Sequence, residues 1–445
     1  MSARAGIIGL LGVLVATAVL ALTYLGWLMG APGPLGFAKG TAVELSNYRG
    51  SSPAGVPRSM AELDIVQKGE YLTKAADCEA CHTAIGGAAF AGGRAFELPF
   101  GTLYSPNITP DQDTGIGAWG DKDFLNAVHK GIGRTGEHLY PAFPFTSYTM
   151  MTDSDVLAIK AYLFSLEPVH QIIPENTLTF PYNQRALMSI WSAMFNSDVR
   201  FHPIADRSAE WNRGAYLVEA VEHCGECHSP RNALQAPDGR RKFSGGNIEG
   251  WNAYNITSDA DSGLGSWTAD SLTQYLSTGF AVGHGAASGP MREVVDLSLS
   301  HLDPADINAM VVYLHTVSAK PSEFGTGVLA PPAAKDHKVG AVSDGMGKAI
   351  FEGACASCHA WDGAGAIRAQ AQLTGSRAVN DSTAANVAHM VLFGSGSVSE
   401  LHPLMPAFGN AYSDVEISAV ANYVTDRFGA TGSKLTESDV AKMRR

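Results

Sequence analysis

All six cysteines of this 445-residue chain fall in three Cys-x-x-Cys-His motifs. The motif cysteines are Cys78, Cys81, Cys224, Cys227, Cys355 and Cys358, and the motif histidines are His82, His228 and His359. On a helix, positions i and i+3 lie on nearly the same face, and position i+4 continues it. Two such thiols can each add to one vinyl group of a porphyrin while the histidine ligates its iron. The pattern is typical of c-type haem attachment.

Other uses of paired cysteines explain the motifs less well. A zinc site needs four ligands close together, whereas these pairs lie far apart in the chain. A thioredoxin-like pair favours a strand–helix setting, and the surroundings here read as helix and loop. Three disulfides would suit an exported protein but leave three identically placed histidines unexplained. The sequence therefore predicts three covalently bound haems c.

Haem iron in cytochromes c usually has a second axial ligand, often methionine. The candidates lie between each motif and the next amphipathic helix: Met151 with Met150 as its alternative, then Met291, then Met405 in a Met-Pro-x-Phe run. Three nearby histidines are fallback ligands, namely His138, His284 and His402.

The motifs sit in an internal repeat. Each is preceded by a helix-like entry that opens on a glycine, at Gly69, Gly214 and Gly347. Each repeat closes on an amphipathic helix with a tyrosine at the same place, at Tyr162, Tyr313 and Tyr423. An acidic residue begins each closing helix, as the helix dipole favours, at Asp155, Asp306 and Glu416.

The first two repeats share a further block, NITPDQDTGIGAW from Asn107 and NITSDADSGLGSW from Asn255. Its Asn, Asp and Gly content predicts an ordered turn rather than a strand. An apolar stripe from Leu187 to Phe195 lies between these repeats. The sequence leaves two uses for the stripe open, namely packing between the two domains or docking of a partner or membrane.

Residues 6–29 carry no charge and are long enough to cross a bilayer, which needs about 20 apolar residues. The run exceeds the apolar core of a cleaved signal peptide, so we expect an uncleaved anchor. Arg4 precedes the run, which favours a cytoplasmic N-terminus and export of the rest. The net charge of −12 argues against nucleic-acid binding.

The expected fold is mainly α, with three cytochrome c-like helical domains in tandem behind an N-terminal transmembrane helix. The expected boundaries are an anchor at 1–30, a linker at 31–60, domain 1 at 61–168, a connecting segment at 169–205, domain 2 at 206–320, a linker at 321–342, domain 3 at 343–430 and a C-terminal tail at 431–445.

The motifs, the two NIT blocks and the stretches HLYPAFPFTSY, FPYNQR, HCGECHSPRN and SGPMREVV resemble one family across about residues 62–430. It is the triple-haem cytochrome c subunit of membrane-bound alcohol, aldehyde and gluconate dehydrogenases. The resemblance implies that the chain accepts electrons from a periplasmic catalytic partner. It further implies transfer of those electrons to ubiquinone, attachment to the periplasmic side of the inner membrane, and distal ligation by Met291 and Met405.

One departure from the family affects the first distal ligand. Alcohol dehydrogenase cytochrome subunits often carry methionine where this chain has Phe143, which cannot ligate iron; this moves the expected ligand to Met151. The Tyr-Thr-x-Met-Thr-Asp context and the anchor favour the aldehyde dehydrogenase branch. The resemblance then implies a molybdopterin large subunit and an iron–sulfur small subunit as partners.

The alternatives are the cytochrome subunit of a pyrroloquinoline-quinone alcohol dehydrogenase or of a flavin gluconate dehydrogenase. A remoter one is a stand-alone haem peroxidase-like enzyme, which would need an open iron position. The chain shows no acid–base or nucleophilic chemistry of its own, so we expect an electron-transfer subunit without a catalytic residue.

Overall fold

The computed structural model describes residues 2–29, 35–36, 38–322, 324, 342–395 and 405–444. This part of the chain is mainly helical, and its strands pair as short antiparallel hairpins. The mainly α prediction is therefore confirmed for these residues.

Each repeat contributes a set of short helices. The first holds α2 (Ile65–Ala75), α3 (Cys78–His82), α4 (Asp121–Lys130), α5 (Phe145–Tyr148) and α6 (Asp153–Ser165), with the hairpin β1 (Ala95–Leu98) and β2 (Gly101–Tyr104). After α7 (Leu187–Phe195), the second holds α8 (Ala209–Tyr216), α9 (Gly225–His228), α10 (Ala269–Thr278), α11 (Pro290–Leu297) and α12 (Pro304–Leu314), with the hairpins β3 (Gly246–Ile248) and β4 (Trp251–Ala253), and β5 (Phe280–Ala281) and β6 (Gly285–Ala286). The third holds α13 (Val342–Ile350), α14 (Ala356–His359), α15 (Ala385–Phe393), α16 (Asp414–Phe428) and α17 (Glu437–Met443). We refer to these three sets of elements as domains 1, 2 and 3.

The entry and closing helices cross at the repeated glycines. A Cβ on Gly69 would lie 1.9 Å from the carbonyl oxygen of Ala158 on α6. The same contact recurs between α8 and α12 and between α13 and α16, at 1.9 Å for Gly214 and 2.2 Å for Gly347. Only a residue without a side chain lets the two backbones approach this closely. The glycine is therefore required at the helix crossing of each domain.

Domains 1 and 2 are joined by a reciprocal pair of hydrogen bonds. The Tyr71 hydroxyl of domain 1 donates to Asp306 Oδ2 of domain 2 at 2.6 Å, and the Tyr216 hydroxyl of domain 2 donates to Asp155 of domain 1. Within domain 2, Arg213 makes a bidentate contact with the same Asp306. Both aspartates are in the first helical turn, as expected for the dipole, but they are buried at the domain interface. Apolar residues of both domains form one continuous core.

Domain 3 has a core of its own, built mainly on α15 and α16. Ala349 occupies the position that Tyr71 and Tyr216 take in the other domains, and it is exposed. The third domain thus lacks the hydroxyl that joins the first two. Within the expected tail at 431–445, α17 packs on α16 through the fully buried Val440.

The apolar side chains of α7 do not all pack against the two domains. Trp191 is buried between Phe145 of domain 1 and Ala236 of domain 2, and its indole N–H donates to the Leu234 carbonyl at 2.8 Å. Leu187 and Ile190 are exposed instead of joining this contact. Packing between the domains therefore accounts for only part of the stripe.

The N-terminal segment forms a long helix, α1 (Ser2–Met29). Near its end, the Arg240 guanidinium of domain 2 lies 3.8 Å from the centroid of the Trp27 ring and donates to the Trp27 carbonyl. Among the residues that the structure describes, no helix is both long and apolar enough to span a membrane.

Replacing Gly347 by alanine tests the helix crossing in domain 3. The added methyl would push α13 from α16, and we expect the free energy of unfolding of domain 3 to fall by about 2 kcal/mol. Gly345 is the matched control on the same helix, because a Cβ there meets nothing within 4 Å. Gly345→Ala should raise stability by about 0.5–1 kcal/mol, since alanine favours helix. Thermal unfolding of the two variants, followed by circular dichroism, would contradict the crossing if both moved alike.

Candidate haem-attachment sites

The first motif occupies α3, and the second and third motifs begin one residue before α9 and α14. A π-helical turn joins each of these two motifs to its entry helix, at Leu217–Val221 and Phe351–Cys355. All six cysteine thiols are free. Every cysteine and histidine of the motifs is partly exposed. The six thiols are therefore available for thioether formation, which is what the motif predicts for them.

The three motif histidines make the same hydrogen bond. His82 Nδ1 lies 2.8 Å from the Pro106 carbonyl, His228 Nδ1 lies 2.6 Å from the Tyr254 carbonyl, and His359 Nδ1 lies 2.6 Å from the Ala371 carbonyl. A carbonyl oxygen can only accept, so Nδ1 carries the proton and Nε2 keeps its lone pair. This is the arrangement in which a second partner orients a metal-binding imidazole. The donor set therefore fits an axially ligated haem iron at all three motifs.

Burial favours the protonation state that this chemistry needs. It lowers the pKa of His82, His228 and His359, so the imidazoles are neutral at pH 7 and can bind a metal. Burial raises the pKa of both Cys81 and Cys227 to about 12, and these thiols stay protonated.

The carbonyls that orient two of the histidines belong to the residues directly before the two NIT blocks. Pro106 and Tyr254 each stand directly before a block. The Asn107 side chain accepts from Thr109 and donates to the Val169 carbonyl at 2.7 Å. In the second block, Asn255 repeats both contacts, with Thr257 and with the Lys320 carbonyl at 2.7 Å. The prediction of an ordered turn is confirmed. Sequence reasoning missed the acceptors themselves, although the repeated block was the available signal.

The methionines predicted as distal ligands lie in three different settings. Met151 is fully buried, and its alternative Met150 is buried beside it. Met291 is the second residue of α11 and is partly buried against the core shared by domains 1 and 2. Met405 is partly buried against the core of domain 3, and its N–H donates to Ser395 Oγ at 2.7 Å. Their ligand roles remain predictions, and Phe143 at the departure from the family packs on Tyr148.

The fallback histidines have other surroundings. His284 stacks on Trp267 with ring centroids 3.7 Å apart, and its Nδ1 has no hydrogen-bond partner among the described residues. The Nδ1 atom of His138 is likewise without one in that part of the chain. His402 lies outside the residues that the structure describes.

The first two sites adjoin each other. After burial and Asp77, the Cys227 thiol of the second motif also raises the pKa of the Cys81 thiol of the first. Arg94 connects the sites, because its Nη1 donates at 2.7 Å both to the Ala80 carbonyl on α3 and to Glu293 on α11. The sequence contained no signal for this ion pair, because its partners come from different repeats.

The comparisons with known proteins agree with this geometry. The profile described as "Cytochrome c" matches residues 66–167, and the profile "Cytochrome C oxidase, cbb3-type, subunit III" matches residues 345–424. The fructose dehydrogenase cytochrome subunit of Gluconobacter japonicus is 35% identical over 421 residues, covering 90% of this chain and 86% of that protein. The chain belongs to the cytochrome c subunits of dehydrogenases.

Two further relatives are subunits of dehydrogenases that are named for other substrates. The gluconate 2-dehydrogenase cytochrome c subunit of Pantoea cypripedii is 36% identical, over 86% of this chain and 90% of that protein. A nicotinate dehydrogenase subunit of Pseudomonas putida is 40% identical over 91% of this chain. The chain spans only about a third of that longer protein, 34% of its length. The predicted resemblance to dehydrogenase cytochrome subunits is confirmed.

Removing Arg94 tests the connection between the first two sites. Arg94→Leu leaves the Glu293 carboxylate, which is 17% exposed, without its cation. We expect a loss of about 2 kcal/mol in the free energy of unfolding, because the unpaired charge is partly buried. Adding Glu293→Leu should recover at least half of this loss, as measured by denaturant unfolding. A double variant no more stable than Arg94→Leu would contradict the pairing.

Proposed function

We propose that this cytochrome subunit carries three haems c and passes electrons from a catalytic dehydrogenase subunit to ubiquinone at the periplasmic face of the inner membrane. The observation that carries the proposal is the same Nδ1-to-carbonyl hydrogen bond at all three motif histidines. Bound haem c would supply one-electron redox chemistry at its iron.

The chain's own residues would hold and tune these groups. The six motif cysteines would form the thioethers, and His82, His228 and His359 would be the proximal ligands. Met151, Met291 and Met405 are proposed as the distal ligands, which would leave no iron position open for peroxidase-like chemistry. The carbonyl acceptors would keep each imidazole in a fixed orientation and raise its basicity.

Attachment to the membrane is proposed for α1. Its uncharged run at 6–29 is the main support, together with apolar side chains that project from the helix, since Leu14, Leu20 and Leu22 are all more than half exposed. The contact of Arg240 with Trp27 would connect this helix to domain 2.

For the catalytic partner we propose an aldehyde dehydrogenase with a molybdopterin large subunit and an iron–sulfur small subunit. The support is the sequence around Phe143 and Met151, which departs from the alcohol dehydrogenase pattern. A second candidate is a partner of another dehydrogenase type. It is favoured by the names of the relatives, which include fructose, gluconate and alcohol dehydrogenase subunits.

The number of haems can be counted directly. The purified chain should contain three haems per polypeptide by pyridine haemochrome assay. The double variant Cys355→Ser with Cys358→Ser should contain two, because domain 3 has a separate core and the other motifs would be unaffected. An unchanged haem content in this variant would exclude haem attachment at the third motif.

The partner can be identified from the metal content of the complex. We expect the complex isolated from native membranes through a tag on this chain to contain molybdenum in near-equal amount to the chain, with iron beyond that of the haems. Elemental analysis and identification of the copurified subunits measure this. A copurified dehydrogenase without molybdenum but with pyrroloquinoline quinone or flavin would contradict the aldehyde dehydrogenase assignment and favour the second candidate.

A further inference from the structure

Domain 3 docks on domain 2 at the strand that leads to the acceptor of His228. On β4, the Asn252 N–H donates to Asn386 Oδ1 at 2.8 Å, and the Asn252 carbonyl accepts from Asn386 Nδ2 at 2.9 Å. One side-chain amide of domain 3 thus pairs with the β4 backbone as a neighbouring strand would. Both asparagines are buried, so these hydrogen bonds are shielded from water.

A buried carboxylate extends this contact to Tyr254. Asp381 of domain 3 is 1% exposed, and its Oδ2 accepts from Asn252 Nδ2 at 2.8 Å and from the Tyr254 hydroxyl at 3.1 Å. Its other oxygen accepts from the N–H and hydroxyl of Thr383. The carbonyl of the same Tyr254 accepts from His228 Nδ1. Tyr254 therefore contacts domain 3 with its side chain and the haem ligand of domain 2 with its backbone.

At a second contact between these domains, the residue next to a histidine acceptor comes from domain 3 and its partner comes from domain 2. The Gly283 N–H of domain 2 donates to Gln372 Oε1 of domain 3 at 3.2 Å. Gln372 directly follows Ala371, whose carbonyl accepts from His359. The backbones approach closely here, since a Cβ on Gly375 would lie 2.3 Å from the Gly283 carbonyl oxygen. Both histidine acceptors thus adjoin the same interface.

Domain 1 shows what the corresponding strand does without such a neighbour. Tyr104 stands three residues before Asn107, as Asn252 stands three residues before Asn255. The Tyr104 N–H donates to Asn176 Oδ1 at 2.9 Å, so the connecting segment supplies the side-chain amide from within the same part of the chain. In domain 2 the corresponding amide comes instead from Asn386 of domain 3.

We propose that docking of domain 3 positions the proximal histidines on both sides of this interface. Asp381 acts on His228 through Tyr254, and Gln372 acts on His359 through the adjoining Ala371. Asp381, Tyr254 and Gln372 are positioning residues for the haem sites, and domain 2 lies between the other two domains. The inference rests on the proposed ligand roles of the two histidines.

The main test is Tyr254→Phe, which removes the hydroxyl but keeps the ring and the carbonyl. Loss of one buried hydrogen bond should raise the amide exchange rate of Asn252 about fivefold, because this N–H is protected only while domain 3 is docked. A less firmly held carbonyl should weaken the His228 hydrogen bond, lower the basicity of the ligand and raise the reduction potential of the second haem. Hydrogen exchange by mass spectrometry and an optical redox titration of the full chain measure the two effects.

Three further variants complete the test. Gln372→Ala should raise exchange at Gly283 and shift the potential of the third haem, leaving the first unchanged. Tyr182→Phe is the matched control, because Tyr182 stacks on Phe100 in domain 1 and is 43% exposed. A Met291→His variant marks the spectrum of the second haem and assigns its component in the titration.

In Tyr254→Phe, faster exchange at Asn252 together with a raised potential of the second haem alone supports the proposal. Faster exchange with unchanged potentials overturns the positioning role, and unchanged exchange overturns the docking contact itself. Absence of haem from the second motif would overturn the proposed function instead. The two failures are distinguishable, because the exchange measurement does not depend on haem.

Discussion

Each domain depends on the close approach of its first and last helices. The contact is possible only because Gly69, Gly214 and Gly347 present no side chain to the backbone of the closing helix. The tyrosines of the closing helices, Tyr162, Tyr313 and Tyr423, pack at the same crossing. Since each motif lies shortly after its entry helix in the chain, the crossing also sets where the cysteines and histidine stand relative to the rest of the domain.

Each motif histidine donates to a backbone carbonyl, but the loop that supplies this carbonyl differs between the domains. In domains 1 and 2 the acceptor carbonyl precedes a turn that an asparagine holds to the end of the domain. Domain 3 has no such block, and Ala371 supplies the carbonyl from a short helical turn at Ala369–Ala371. The orientation of the imidazole is thus retained although the loop that produces it differs, which indicates that the hydrogen bond matters more than the loop.

The joining of the domains follows from a few polar side chains. Tyr71 and Tyr216 reach across to each other's domain, and the resulting pair shares one apolar core. Domain 3 has Ala349 at that position and attaches instead through Asp381 and Asn386 to β4. Two kinds of interface therefore connect three similar domains, and each kind lies beside a pair of candidate haem sites.

The sequence by itself determined the motifs, the helical repeats and the glycine at each crossing, because these are local patterns with a fixed period or spacing. It also predicted the turn at Asn107 and Asn255 from composition. Only the tertiary structure decided which carbonyl each histidine meets and that Arg94 pairs with Glu293. These contacts join residues that are far apart in the chain, and no local pattern records which distant groups will be neighbours. The exposure of Leu187 beside the buried Trp191 has the same cause, since only the packed domains determine which part of the apolar stripe is covered.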